Sequence, residues 1–242
     1  MVSIAICDDN KAMLDYLVEV VKELFLENNI SFKINSFTSG VKFLKTHEIE
    51  PYDVVFMDII MPEMNGFEVA KKIRTIASNT FIIFITTENS LVYESFDFQP
   101  FYFIPKEKPQ VLEDRLKHVI EKLTISIAAN EKVLINGSGE SERYISPNDI
   151  LYIKSSSNQI IFHLTNGNTI LIRKKLADLY ETLNKYIFAR THNRIVVNMK
   201  HIERVDYSNM EILLDNNEIV KISRSYKDYF KNVYIRFTRT FS

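Results

Sequence analysis

The sequence predicts two folded domains in series, a doubly wound α/β domain on a five-stranded parallel sheet followed by a mostly-strand domain. Three observations carry this. Up to about Leu123 short apolar runs alternate with amphipathic stretches. After Ile127 apolar residues recur at every second position. The 242 residues, 46% of them hydrophobic, are more than one ordinary core uses and enough for two. The first domain is placed at 1–125, a linker at 126–130 and the second domain at 131–242.

In the first domain Val2–Cys7, Ile34–Phe37, Val54–Met57, Phe81–Ile85 and Phe101–Ile104 are short apolar runs and read as strands. Between them Lys11–Leu26, Gly40–Thr46, Phe67–Ala77, Leu91–Phe98 and Val111–Leu123 read as helices. In the first of these, Leu14, Leu17, Val18, Val21, Leu24 and Phe25 form the 3.6-residue stripe. Strict β–α alternation implies parallel strands with helices on both faces.

In the second domain Val133/Ile135, Leu151/Ile153, Ile161/His163, Ile170/Ile172, Ile212/Leu214 and Val220/Ile222 alternate with polar neighbours, as strands do. The turn signals Asn136-Gly137, Asn166-Gly167 and Asp215-Asn216-Asn217 separate the runs, and Asn166-Gly167 is a two-residue hairpin cue. One helix, about Lys175–Asn184, interrupts them.

With 5 Gly and 6 Pro, no low-complexity tract and no internal repeat, disorder is not expected. The opening apolar run lacks a basic leader and stops at Asp8-Asp9, and no stretch reaches the roughly 18 uncharged apolar residues that a bilayer span needs. A cytoplasmic protein with no membrane association is expected, and a single cysteine, Cys7, fits a reducing compartment. The net charge of −1 conceals 13 Lys+Arg against 19 Asp+Glu in residues 1–125, and 17 against 12 in residues 126–242. A polyanionic partner for the second half follows as an expectation.

In an open parallel sheet, ligands collect beyond the carboxyl ends of the strands. Asp8 and Asp9 follow the first strand and Asp58 the third; Thr86 ends the fourth and Lys106 follows the fifth. Three carboxylates in one place repel unless a cation neutralises them, and a hard oxygen site of this kind suits Mg²⁺. A hydroxyl and an ammonium on the same rim complete a phosphoryl site. Asp58 is its acceptor, Asp8 and Asp9 hold the metal, Thr86 bonds a phosphoryl oxygen and Lys106 is a point-charge clamp. Cys7, with no histidine near it in this order of elements, reads as a buried small hydrophobe.

At these residues the chain resembles the receiver domain of two-component response regulators, a flavodoxin-like fold. The resemblance is carried by Cys7-Asp8-Asp9-Asn10, by the loop Met57-Asp58-Ile59-Ile60-Met61-Pro62-Glu63-Met64-Asn65-Gly66, by Thr86 and by Lys106, and it spans residues 2–123. It implies phosphoryl transfer to Asp58 from a membrane histidine kinase, and the Ile60 backbone carbonyl as a further metal ligand. It also implies a switch made of Thr86 and Phe103. The chain departs from the family in having Pro105 before Lys106 and Glu107 after it, where a proline usually follows, in a Phe103 without a hydroxyl, and in Thr87, where a small residue is usual. No enzymatic turnover is implied beyond slow hydrolysis of the protein's own aspartyl phosphate.

Nucleic-acid binding needs cations for phosphates and a few side chains for base edges. The segment Phe188-Ala189-Arg190-Thr191-His192-Asn193-Arg194, before the apolar Ile195-Val196-Val197-Asn198, reads as a projecting loop with three polar or cationic side chains; Ser223-Arg224-Ser225-Tyr226 ends another strand. Asn198 reads as fixing a turn and His163 as structural.

With Asp149-Ile150-Leu151-Tyr152-Ile153 and Ile202–Val205, these segments resemble the LytTR-type DNA-binding domain over Glu131–Phe237. The resemblance implies about ten short strands whose loops enter successive major grooves of double-stranded promoter DNA. Asn158, Asn193 and Arg224 are then the base-edge candidates, and Arg190, His192, Lys174 and Lys175 the phosphate or support candidates. The family's His-Arg-Ser reads His192-Asn193-Arg194 here, so Arg194 joins the set. It further implies that phosphorylation pairs two copies into a homodimer on repeated sites, and it suggests a peptide-pheromone, bacteriocin or competence circuit. The alternative is a phospho-gated module that binds RNA or a protein; few aromatics around Asn158 or Asn193 for base stacking weigh against single-stranded RNA.

Overall fold

The computed structural model describes residues 1–28, 30–135, 143–157 and 159–241. The Asn136-Gly137 signal and Asn158 lie outside the described residues. The chain divides into two compact units, Met1–Leu123 and Thr124–Ser242.

In the first unit β1 (Val2–Cys7), β2 (Phe32–Phe37), β3 (Val54–Met57), β4 (Phe81–Thr86) and β5 (Tyr102–Pro105) form a fully parallel sheet in the order β2-β1-β3-β4-β5. The order reverses at β1, with β2 on one side and β3 on the other, and that switch opens a crevice at the carboxyl ends of β1 and β3. Helix α1 (Lys11–Glu27) buries Leu14, Leu17, Val21, Leu24 and Phe25 of the predicted stripe and leaves Val18 half-buried at its edge. Its cap is Asn10, whose Oδ1 accepts from the Ala12 and Met13 N–H groups at 3.0 and 3.2 Å, so Asp8 and Asp9 are not needed as caps. On the opposite face α2 (Gly40–His47) and α3 (Gly66–Ile76) pack Phe43, Val69 and Ile73 over Ala5, Cys7, Val55, Met57 and Phe84. Helix α3 opens with a reciprocal cap between Asn65 and Glu68, each accepting the other's N–H at 2.9 Å.

Two elements differ from expectation. The helix predicted at Leu91–Phe98 is α-helical only in α4 (Val92–Ser95), between 3₁₀ turns at Asn89–Leu91 and Phe96–Phe98. Tyr93, Phe96 and Asp97 are weak helix formers, and left-handed Gln99 (φ 49°) ends the segment. Helix α5 (Pro109–Asn130) continues through 126–130, so the expected linker is helical, and Ile125 and Ala128 join a core of the second unit.

That unit holds ten strands among the described residues. Strands β6 (Val133–Ile135) and β7 (Arg143–Ile145) pair. Strands β8 (Ile150–Ser156), β9 (Gln159–Leu164), β10 (Thr169–Ile172), β11 (Phe188–His192) and β12 (Ile195–Asn198) form an antiparallel sheet in the order β10-β9-β8-β12-β11. Strands β13 (Ile202–Asp206), β14 (Glu211–Leu214) and β15 (Ile219–Lys221) form a second sheet. The period of two gives the five-stranded sheet two buried faces. Ile153, Ile160, Phe162 and Val196 pack with Leu176 and Leu179 of α6 (Leu176–Thr182), and Leu151, Ala189 and Val197 pack with Ile212, Leu214 and Val220. Asn198 is fully buried and its Nδ2 donates to the Pro147 and Ile150 carbonyls at 2.9 Å, fixing the end of β12. His163 stacks on Tyr152 with ring centres 4.0 Å apart.

Helix α7 (Lys227–Phe241) was not expected. Its apolar stripe, Phe230, Val233, Tyr234 and Phe237, packs in the core with Val220 and Ile222. The spacing is helical, but Lys227, Asp228, Lys231, Arg236 and Arg239 dilute it in a stretch otherwise dominated by strand periodicity.

Candidate phosphoryl site and nucleic-acid interface

The ends of β1 and β3 are tied together by the Asp58 N–H, which donates to the Cys7 carbonyl at 2.8 Å, and this sets the carboxylates of Asp8 and Asp58 side by side. Asp8 is 1% and Asp58 6% exposed, while Asp9 is open to solvent. One carboxylate oxygen from each of the three lies within 4.8 Å of the others. Lys106 follows β5 and is anchored through its N–H to the Thr86 carbonyl at 2.7 Å. Its Nζ donates to Asp58 Oδ2 at 2.5 Å and stands 2.8 Å from Asp8 Oδ2. The contact with Asp8 is one of charge, because Asp8 Oδ2 is buried without an aligned hydrogen bond.

The remaining lone pairs are partly satisfied by backbone. Asp8 Oδ1 accepts from the Asn10 N–H at 3.0 Å and Asp58 Oδ1 from the Ile60 N–H at 3.3 Å. Thr86 is fully buried at the end of β4, its Oγ1 accepting from the Glu88 N–H at 3.3 Å. The loop after Asp58 folds back on the start of α3 so closely that a Cβ at Gly66 would sit 2.3 Å from the Asp58 carbonyl oxygen; only glycine fits there. Phe103 is half-buried and, with Phe67 and Phe98, packs against the core that contains Met57, Val69 and Phe84. All peptide bonds of the described residues, including those around Lys106, are trans.

Burial raises the pKa of Asp58, with Asp8 acting in the same direction, while the Lys106 ammonium and the Ile60 N–H offset part of the effect. Burial pulls Lys106 down, but its hydrogen bond to Asp58 and the charges of Asp58 and Asp8 outweigh this, and its pKa is raised. Cys7 is pushed up to about 12 by burial and then by the charges of Asp8, Asp58 and Asp9, which makes its thiol inert. Two buried carboxylates and one exposed one share a single ammonium. The nest keeps an excess of negative charge, presents hard oxygen donors and leaves Asp8 Oδ2 short of a hydrogen bond, features that fit a small divalent cation.

In the second unit Asn193 and Arg194 form the exposed two-residue turn between β11 and β12. Half-buried His192 fixes that turn, its Nδ1 accepting from the Arg194 N–H at 3.0 Å. Arg224 is exposed on the 3₁₀ turn Arg224–Tyr226. The two turns are neighbours, because the Ser223 N–H donates to the Thr191 carbonyl at 2.8 Å. Lys174, half-buried, and Lys175, exposed, precede α6, and no contact joins them to those turns among the described residues.

The segment from Phe188 to His192, read from sequence as a projecting loop, is instead strand β11. It pairs with β12 through a bulge between Arg190 and His192, and Phe188, Ala189 and Thr191 point into the fold. Arg190 therefore does not project. It lies half-buried with its guanidinium against Tyr180. Sequence reasoning named Tyr226 only within the Ser223–Tyr226 segment and passed over Tyr180 and Tyr229; Tyr180 lies more than forty residues from the other two, so no local spacing joins them.

The family model for the response regulator receiver domain matches residues 4–117, and that for the LytTr DNA-binding domain matches residues 141–234. Among curated relatives, the sensory transduction protein LytT of Oceanobacillus iheyensis is 26% identical over 84% of this chain and 83% of its own length. The accessory gene regulator protein A of Staphylococcus epidermidis is 26% identical over 89% of this chain and 94% of its own. Among solved structures, the response regulatory domain of protein mrkE from Klebsiella pneumoniae is 26% identical, covering 51% of this chain and 96% of its own, with a TM-score of 0.46.

Proposed function

Because this chain belongs to the two-component response regulators that join a receiver domain to a LytTR DNA-binding domain, we propose that Asp58 accepts a phosphoryl group and that the acquired charge governs how the second domain engages promoter DNA. The observation that carries this is the buried Lys106 ammonium held against both Asp58 and Asp8. A carboxylate attacking a phosphoryl group meets anion–anion repulsion, and an ammonium placed beforehand at the acceptor oxygen offsets it without reorganisation.

In the step itself an oxygen of Asp58 forms the new bond to phosphorus while the bond from phosphorus to the donor's imidazole nitrogen breaks; that nitrogen takes up a proton as the kinase histidine leaves. The donor is the phosphohistidine of a sensor histidine kinase, membrane-bound in this reading. Mg²⁺ would be held by Asp8, Asp9, Asp58 and the Ile60 backbone carbonyl, and when bound it would screen the charge of the phosphoryl oxygens. Thr86 hydrogen-bonds a phosphoryl oxygen, and Thr86 and Phe103 pass the change to the face made by α4 and β5.

Asn193, Arg194 and Arg224 are the exposed groups for base edges, with Lys174 and Lys175 on phosphates and His192 holding its turn. Phosphorylation pairs two copies on repeated sites, which raises the effective concentration of the second domain. On the family resemblance, the circuit it serves is read as a peptide-pheromone, bacteriocin or competence one. The test is phosphoryl incorporation from a small phosphodonor. Wild type takes up one equivalent in Mg²⁺ and loses uptake in excess chelator, and Asp58→Asn takes up none; label in Asp58→Asn at the wild-type level refutes the assignment.

A further inference from the structure

Around Tyr180 of α6, side chains from four other segments meet. The hydroxyls of Tyr180 and of Tyr229 in α7 are 2.7 Å apart. The Arg190 guanidinium carbon lies 4.8 Å from the centre of the Tyr180 ring, and Arg190 Nη1 donates to Tyr226 Oη at 3.4 Å. The rings of Tyr226 and Tyr229 meet edge-on at 6.4 Å. Arg190 Nε is buried with no hydrogen-bond partner. A guanidinium that clamps phosphate offers its fork of N–H groups outward, whereas this one is turned against two aromatic side chains. Lys185 Nζ, 3.6 Å from the same Tyr180 ring centre, is the cation at this spot that lies on an exposed residue.

The next residue of β11 completes the arrangement. Thr191 accepts the Ser223 N–H at 2.8 Å, so the turn carrying exposed Arg224 is tied to β11 on both sides, at Ser223 and at Tyr226. Strand β11 then runs straight into the His192–Arg194 turn. From this juxtaposition we infer that Arg190 is a positioning residue. With Tyr180, Tyr226 and Tyr229 it sets the Arg224 turn against the Asn193–Arg194 turn so that both meet a duplex in register, and it contacts no phosphate. The inference rests on the DNA-binding reading above.

The test uses the full chain treated with a small phosphodonor, a duplex that it enriches from a random-sequence pool, and an unselected duplex of equal length. Arg190→Ala lowers the ratio of the two affinities by roughly tenfold, the scale of one misplaced base contact. Tyr226→Phe lowers it in the same direction by less, the double variant is no worse than Arg190→Ala, and Arg190→Lys does not rescue. The slope of log affinity against log salt stays at the wild-type value. A slope flattened by about 0.9 in Arg190→Ala, as loss of one phosphate contact produces, overturns the inference; so does rescue by lysine. Hydrogen exchange at the Ser223 and Tyr226 amides gives a readout without DNA. Faster exchange in Arg190→Ala supports positioning even if the wild type binds neither duplex, a result that sinks the DNA-binding reading alone. Unchanged exchange overturns positioning.

Discussion

The acidic nest of the first unit and the cationic turns of the second both gather charge, but they do so in opposite ways. Asp8, Asp58 and the Lys106 ammonium are buried, with Nζ 2.8 Å from Asp8 and 2.5 Å from Asp58, so each constrains the state of the others. Asn193, Arg194 and Arg224 are exposed on turns tied through β11 by the Ser223 N–H on the Thr191 carbonyl and by the Arg190–Tyr226 hydrogen bond. Burying like charges is costly, and a fold retains such a nest only with compensation, which makes its chemistry narrow. Exposed cations cost little and suit any polyanion. The chemistry of the first site therefore follows from its own geometry, while any selectivity of the second for one duplex would depend on the scaffold that sets its turns.

Lys106 is the residue on which the buried nest depends most. Lys106→Met leaves two buried carboxylates without their cation, and the receiver is expected to lose about 3 kcal/mol at pH 7 in metal-free buffer and to recover part of it in Mg²⁺. Urea unfolding with and without Mg²⁺ measures this, and equal stability of variant and wild type in chelator would show that the nest is not held by charge. In the second unit, Arg224→Ala should cost roughly 1–3 kcal/mol of binding to the selected duplex while leaving the unselected one nearly unchanged, as read by fluorescence anisotropy. A uniform loss on both duplexes would make Arg224 a phosphate contact. Lys175→Ala should do the reverse, reducing the salt slope by about 0.9 with little effect on discrimination.

The smallest effect concerns His47, which is fully buried, with Nδ1 accepting the Tyr52 N–H at 3.2 Å. Burial lowers its pKa below the ordinary 6.5, so it folds neutral. An unfolded chain then binds the extra proton, and the stability due to neutral His47 is present above about 6.5 and lost as pH falls below it, at no more than about 1.4 kcal/mol per pH unit. Unfolding of wild type and His47→Gln at pH 7.5 and 5.5 should show the wild type losing more; parallel losses would contradict the assignment.

Much of the acidic nest was legible in sequence because each member follows an apolar run whose period identifies a strand, and parallel strands bring their carboxyl ends to one rim. Asp8, Asp58 and Lys106 need no further information. The position of Asn10 as the α1 cap, which releases both acids, was a local signal that went unread. In the second half, alternation disclosed the strands, but Arg190 looks the same in a strand as in a loop until the pairing of β11 with β12 is known. The meeting of Tyr180, Arg190, Tyr226 and Tyr229 is a product of tertiary packing alone. Helix α7 was hidden because its stripe of Phe230, Val233, Tyr234 and Phe237 is interspersed with cations in a stretch read for period two.

If charge added at Asp58 changes how the basic domain engages DNA, the affinity of the full chain for its selected duplex must respond to it. That affinity is measured with Mg²⁺, before and after treatment with a small phosphodonor, beside Asp58→Asn treated alike. Treated wild type is expected to bind more tightly and more cooperatively, and the variant to be unchanged. Identical binding curves for treated and untreated wild type, with phosphoryl incorporation verified, would contradict this.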